Sequence, residues 1–191
     1  NTHILIIDDE DGIRKTFSAF LNKEGYYTST AADYDTAMEK LKNAQWDLVF
    51  TDILLGSHSG VDVLKGIKAM GYTCPVVMIT GAPDIETAAA SVRLGAFDYL
   101  PKPIKRETLI RVTKHALQNK ALLDEKSIIE REKEQYQTHL EAIFRSVEDA
   151  IITADNNMHV LQANDALERI CGLKPGVILG ERIEGIGNEC C

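Results

Sequence analysis

Apolar positions along the first hundred residues follow two alternating rhythms. Ile4 to Ile7 form an unbroken apolar run within a strand predicted over 3–7, as a strand covered on both faces requires. Ile13, Phe17, Phe20 and Leu21 then recur at helical spacing, and Gly25 ends that helix. YYTST (26–30) predicts a second strand, and Tyr34, Ala37, Met38 and Leu41 a second amphipathic helix. DLVFT (47–51) is a third strand, and a helix from about Gly60 turns Val61, Leu64 and Ile67 inward. PVVMIT (75–80) and AFDYL (96–100) complete five strands. Between them Ile85, Ala88, Ala89 and Val92 mark a helix opened by Pro83 and Asp84. From Lys105 the pattern is helical again. Strands alternating with helices predict a doubly wound α/β domain with a parallel sheet.

Such a sheet binds ligands at the carboxyl ends of its strands, near the point where strand order reverses. The polar residues at those ends are Asp8 and Asp9 after the first strand, Thr51 and Asp52 after the third, Thr80 and Gly81 after the fourth, and Lys102-Pro103 after the fifth. Asp8, Asp9, Glu10 and Asp11 are consecutive, and such crowding raises carboxylate pKa values unless a positive charge intervenes. Either these acids are solvated loop residues or they hold a cation. Glu10 and Asp11 read as acidic residues at a helix N-terminus, where the dipole favours them. Asp8, Asp9 and Asp52 together suit a hard cation with oxygen ligands, Mg2+ in octahedral geometry. A divalent ion beside a carboxylate and a lysine makes a site for a phosphoryl group, with a carboxylate as nucleophile. Neither G-x-x-x-x-G-K-[ST] nor G-x-G-x-x-G occurs, so nucleotide binding has no support.

ILIIDDED, DLVFTDILLGSHSG, VVMITG and AFDYLPKPI, in this order, resemble the receiver domain of bacterial two-component response regulators over residues 3 to about 119. The resemblance implies a flavodoxin-like fold with strand order 2-1-3-4-5. It implies that Asp52 is phosphorylated by a partner histidine kinase. Mg2+ would be held by Asp9 directly, by Asp8 through water, by Asp52 and by the backbone carbonyl of Leu54. Thr80 would bond the phosphate, Tyr99 would turn inward as the aromatic switch, and Lys102 would pair with Asp52 and later with the phosphate. It also implies a cis Lys102-Pro103 bond. Where the family commonly has Met-Pro after the phosphorylation site, this chain has Leu55-Gly56; glycine lacks the fixed φ of proline and should loosen the loop.

No Pro or Gly stands between Ile104 and Val147. Leu122, Ile129, Tyr136, Leu140, Ile143 and Val147 share one face at heptad-like spacing, interrupted by Lys126 and Lys133. A narrow stripe of this kind predicts a homodimer through a coiled coil over 120–147, against the alternative of a lone helix lying on its own domain. Beyond it, strands are predicted over Ala150–Ala154 and His159–Gln162 around a turn at Asp155-Asn156-Asn157, followed by a helix capped by Asn164 or Asp165. This order is similar to the opening of a PAS sensor domain over roughly 141–185, an incomplete α+β segment. The expected division is a receiver over 1–119, a helical linker over 120–147 and the N-terminal part of a PAS domain over 148–191.

The 191 residues are 45% hydrophobic, enough for a core without staples, and the net charge of −8 argues against nucleic-acid contact. No apolar run reaches membrane-spanning length. Four sparse cysteines, including Cys190-Cys191, make no disulfide framework and fit a cytoplasmic, reducing setting. The five histidines have no ligand spacing.

The expected function is thus a phosphoacceptor, not an enzyme, that shifts a two-state equilibrium and passes it through the helix to PAS and output domains. ITGAPDIETAAASVRLGAFDYLPKPI is similar to receivers of bacterial enhancer-binding activators, which implies a transcriptional output. The alternatives are the receiver-PAS portion of a hybrid histidine kinase, a Mg2+-dependent aspartyl phosphatase, or a scaffold that never meets phosphate.

Overall fold

The computed structural model describes residues 2–82 and 92–186. The helix expected from Pro83 and Asp84, and Cys190-Cys191, lie outside the described residues. Two compact units divide the chain, Asn1–Glu125 and Lys126–Cys191.

In the first unit β1 (His3–Ile7), β2 (Tyr27–Ala31), β3 (Leu48–Asp52), β6 (Val76–Thr80) and β7 (Asp98–Pro101) form one sheet in the order β2-β1-β3-β6-β7. All its pairings are parallel, with Ile7 opposite both Ala31 and Thr51, Asp52 opposite Ile79, and Thr80 opposite Pro101. Counting these five strands alone, the order is the expected 2-1-3-4-5. Period-two alternation sends Leu5, Ile7, Val49 and Met78 into one buried cluster and Ile4, Ile6, Phe50 and Ile79 into another. The first cluster is closed by Ala37 and Leu41 of α2 (Tyr34–Asn43) and by Val63, Leu64 and Ile67 of α3 (Gly60–Ala69). The second is closed by Phe17 and Leu21 of α1 (Asp11–Lys23) and by Leu109, Ile110, Val112 and Ala116 of α4 (Arg106–Ser146). Each large apolar side chain buried in this way contributes about 1.5–3 kcal/mol. The two-sided burial fixes strand register and therefore what stands at each strand end.

Local chemistry starts the helices. The Asp33 side chain accepts from the Thr36 amide at 2.8 Å and caps α2. At α3, the Ser59 amide and hydroxyl both donate to Asp62 Oδ2, at 3.0 and 3.2 Å. The loop after Asp52 is an antiparallel hairpin of β4 (Leu54–Leu55) and β5 (His58–Ser59), which the sequence pattern did not predict. Gly56 takes φ +60° at its tip, a conformation that glycine adopts without strain. The His58 ring stacks on Tyr34 at 4.4 Å.

Helix α4 changes character along its length. Leu109 to Ala116 are buried in the receiver core, and Lys120 pairs with Asp47 at 3.4 Å and Asp124 at 2.7 Å. Beyond that point Leu122, Ile129, Tyr136, Leu140 and Ile143 are all exposed. Among the described residues, no helix is long and apolar enough to cross a membrane.

In the second unit β8 (Ile152–Ala154) and β9 (Val160–Ala163) form an antiparallel hairpin, followed by α5 (Ala166–Cys171), α6 (Pro175–Ile178) and α7 (Ile183–Ile186). Asp155 Oδ1 accepts from the amides of Asn157 and His159 at 2.9 and 2.8 Å, which makes the turn. Val160, Leu167 and Ile178 are its small core. Asp165 holds the N-cap position of α5 without a side-chain bond. Asn164 acts elsewhere: buried, it accepts from the Ile151 amide at 2.9 Å and donates to the carbonyls of Asp149 at 2.9 Å and Val147 at 3.4 Å.

Candidate functional site

The carboxyl rim of the sheet collects the polar residues that the strand pattern places there. Asp8 follows β1 and is fully buried, Asp52 ends β3 at 5% exposure, and Thr80 ends β6 at 2%. Lys102 follows β7, and its amide donates to the Thr80 carbonyl at 2.6 Å, which extends the ladder by one residue. The Lys102-Pro103 bond is cis, as the resemblance implied.

Lys102 is the centre of the site. Its ammonium lies 2.7 Å from Asp52 Oδ2, 2.9 Å from Asp8 Oδ2 and 2.9 Å from Glu10 Oε1. Burial alone would pull its pKa down, but the contacts with the carboxylates of Asp52, Glu10 and Asp8 outweigh that and hold it above the ordinary lysine value. Burial pushes the Asp8 carboxyl above its ordinary 3.8, against the opposing pull of the Lys102 ammonium. The Leu54 amide donates to Asp52 Oδ1 at 3.2 Å and the Glu10 amide to Asp8 Oδ1 at 2.9 Å. Arg14 pins the acidic loop through its backbone, donating to the carbonyls of Asp8 at 2.6 Å and Asp9 at 2.9 Å.

Of the residues expected at the site, Asp8, Asp52 and Lys102 are brought into direct contact. Thr80 is in place at the strand end, with its hydroxyl engaged to the backbone of Ala82 at 3.1–3.2 Å. Tyr99 is half-buried in β7 and packs against the cluster that contains Leu5 and Met78. Asp9 is exposed. Leu54 is exposed in β4, two residues after the phosphoacceptor candidate. The residue that sequence reasoning set aside is Glu10. Among the described residues, the carboxylate oxygens that lie within 4.8 Å of one another belong to Asp8, Glu10 and Asp52. Its only signal in the sequence was membership of the four-acid run.

The donor set fits a hard divalent cation. All its ligand atoms are oxygens, and Asp8 Oδ2 is a buried oxygen with a charge neighbour but no well-aligned hydrogen-bond donor. A fully buried acceptor left without a directed donor is costly unless a cation uses it.

Fold and site together define a flavodoxin-like domain whose ligand site sits at the carboxyl rim of a parallel sheet. The family model described as the response regulator receiver domain matches residues 4–114, more than half of the chain, and the chain belongs to that family. A PAS domain model matches residues 138–191. The chain is similar to the nitrogen assimilation regulatory protein NtrX of Azorhizobium caulinodans, 40% identical over 117 residues, 60% of this chain and 26% of that protein. It is also similar to the alginate biosynthesis transcriptional regulatory protein AlgB of Pseudomonas putida, 32% identical over 162 residues, 83% of this chain and 36% of that protein. Among solved structures, the beryllofluoride-activated NtrC4 receiver domain dimer superposes with a TM-score of 0.60 at 30% identity, covering 62% of this chain and 98% of that one. The chain thus spans about a quarter to a third of the length of these curated relatives.

Proposed function

We propose that Asp52 accepts a phosphoryl group from a histidine kinase in the presence of Mg2+. The observation that carries this reading is the Lys102 ammonium, 2.7 Å from Asp52 Oδ2 and 2.9 Å from Asp8 Oδ2. It places a fixed positive charge where the oxygens of a transferring group would gather negative charge. The Asp52 carboxylate is the nucleophile, one of its oxygens attacking phosphorus while the kinase histidine leaves. Mg2+, when bound, neutralises charge on the phosphoryl oxygens; Asp8, Asp9, Asp52 and the Leu54 carbonyl are the residues assigned to hold it, and the position of Glu10 adds a fourth carboxylate to the rim. The Thr80 hydroxyl exchanges its contacts with Ala82 for the phosphoryl group, and Tyr99 turns inward behind it. The chemistry is stoichiometric transfer to the protein itself and not turnover of a substrate.

The functional division follows as a receiver over 1–119, a helical linker over 120–147 and a PAS segment over 148–191. Two chains join through the linker, because its apolar stripe of Leu122, Ile129, Tyr136, Leu140 and Ile143 stays exposed among the described residues. The similarity to AlgB, a transcriptional regulatory protein by name, supports a transcriptional output. The setting is cytoplasmic, with a histidine kinase as the partner.

Incubation with acetyl phosphate and Mg2+, followed by intact mass, tests the phosphoacceptor. Wild type should gain one phosphoryl group and Asp52→Asn none; equal gain in both would remove the reading. Light scattering tests the linker, where a monomeric mass contradicts the dimer.

A further inference from the structure

An ammonium has three N–H donors. Lys102 donates to Asp52 and Glu10 at 2.7 and 2.9 Å, and the Asp8 carboxylate lies 2.9 Å away as a charge neighbour. A phosphoryl group on Asp52 brings further anionic oxygens to an ammonium already surrounded by three carboxylates. One of the three must give way, and they are not equivalent. The side chains of Asp8 and Asp52 are 0% and 7% exposed, and that of Glu10 is 62% exposed. Stripping a buried carboxylate of its cation leaves an uncompensated charge in a low-dielectric site. A released Glu10 carboxylate is solvated at once, and an exposed ion pair contributes little to stability. The backbone of Glu10 need not move, because its amide is held by Asp8 Oδ1 at 2.9 Å.

We infer that Glu10 is a displaceable positioning residue, which holds the Lys102 ammonium in the resting protein and competes with the phosphoryl group on Asp52 for that ammonium. Glu10 thereby weakens the grip of the site on that group and keeps Lys102 aimed at the rim while the site is empty of phosphorus. The inference rests on the phosphoacceptor reading of Asp52.

The test titrates the full chain with beryllofluoride at saturating Mg2+, and separately with Mg2+ alone, for wild type, Glu10→Gln and Glu10→Asp. Glu10→Asp keeps the charge but withdraws the carboxylate by about 1.5 Å, one carbon–carbon bond, and so breaks the contact. Both variants should bind beryllofluoride about two- to fivefold more tightly than wild type, the fold-change expected for losing one exposed ion pair. Urea unfolding without ligand, followed by Trp46 fluorescence, should show only the matching small loss, about 0.4–1 kcal/mol, which separates competition from a change in fold. Equal affinities in all three proteins overturn the inference. Tightening in Glu10→Gln alone also overturns it, because the effect is then one of net charge. A tenfold or greater loss of Mg2+ affinity in Glu10→Gln overturns it by making Glu10 a metal ligand. Wild type that binds no beryllofluoride with Mg2+ sinks the Asp52 reading itself, a result distinct from the other three.

Discussion

Replacing Lys102 with alanine removes the one cation shared by Asp8, Asp52 and Glu10. Glu10 is solvated, but Asp8 and Asp52 are left facing each other while buried. Losing one partner of a buried pair costs about 3–5 kcal/mol. An independent ceiling comes from protonation, since the folded protein can relieve the repulsion by neutralising one carboxylate. From an ordinary Asp value of 3.8, that costs about 4 kcal/mol at pH 7 and under about 2 kcal/mol at pH 5, at roughly 1.36 kcal/mol per pH unit. The sign follows from linkage. A carboxylate whose folded pKa stands above its unfolded value binds its proton more tightly when folded, so the folded state gains as pH falls and loses as pH rises through the folded value. The destabilisation of Lys102→Ala relative to wild type is therefore largest at neutral pH and shrinks toward pH 5. With a urea slope of about 2 kcal/mol per molar, 4 kcal/mol moves the midpoint down by about 2 M at pH 7. Mg2+ should return much of the loss, about 2.7 kcal/mol at one hundred times its dissociation constant. The assay is urea unfolding with and without Mg2+ at pH 5 and 7. It is read by the fluorescence of Trp46, the chain's single tryptophan, whose indole donates to the Lys40 carbonyl inside the receiver unit. A midpoint at pH 7 without Mg2+ equal to that of wild type would refute the view that this ammonium neutralises the buried acids.

Three further outcomes follow from other parts of the molecule. A Cβ at Gly60 would press into the Asp52 carbonyl oxygen and stand 3.0 Å from Thr51 Oγ1; Gly60→Ala should cost about 1–3 kcal/mol by overpacking and weaken beryllofluoride binding, both measurable by titration. Asn164→Ala strands the Ile151 amide and the Asp149 carbonyl, and should cost the second unit about 1–3 kcal/mol, seen as faster hydrogen exchange at Ile151. Burial pushes the Cys74 thiol up to about 11, so at pH 8 a thiol reagent should modify it only after unfolding; rapid labelling of the native chain would contradict its burial.

The sheet and its rim are legible in the order of apolar and polar residues. Two-sided apolar runs such as Ile4–Ile7 and Leu48–Phe50 can be satisfied only by a covered parallel strand, and a parallel sheet puts every strand end on one side. Asp8, Asp52, Thr80 and Lys102 stand at one rim for that reason. Tertiary structure alone decided which acids of the 8–11 run meet the ammonium. Past Ile7 the chain leaves the period-two rhythm, and Arg14, gripping the carbonyls of Asp8 and Asp9, sets the loop that sends Glu10 to Lys102 and leaves Asp9 exposed. The hairpin at Leu54–Ser59 was hidden for a similar reason. Its strands are only two residues each, too short for any periodicity, and a ring stack between His58 and Tyr34 from a distant helix holds it. Asn164 read as a helix cap because capping is a local interaction, whereas its partners Val147, Asp149 and Ile151 lie thirteen to seventeen residues away. Periodicity reports which side of an element is buried. It carries no information on which distant polar group a loop side chain will reach, because that depends on how separate elements pack in space.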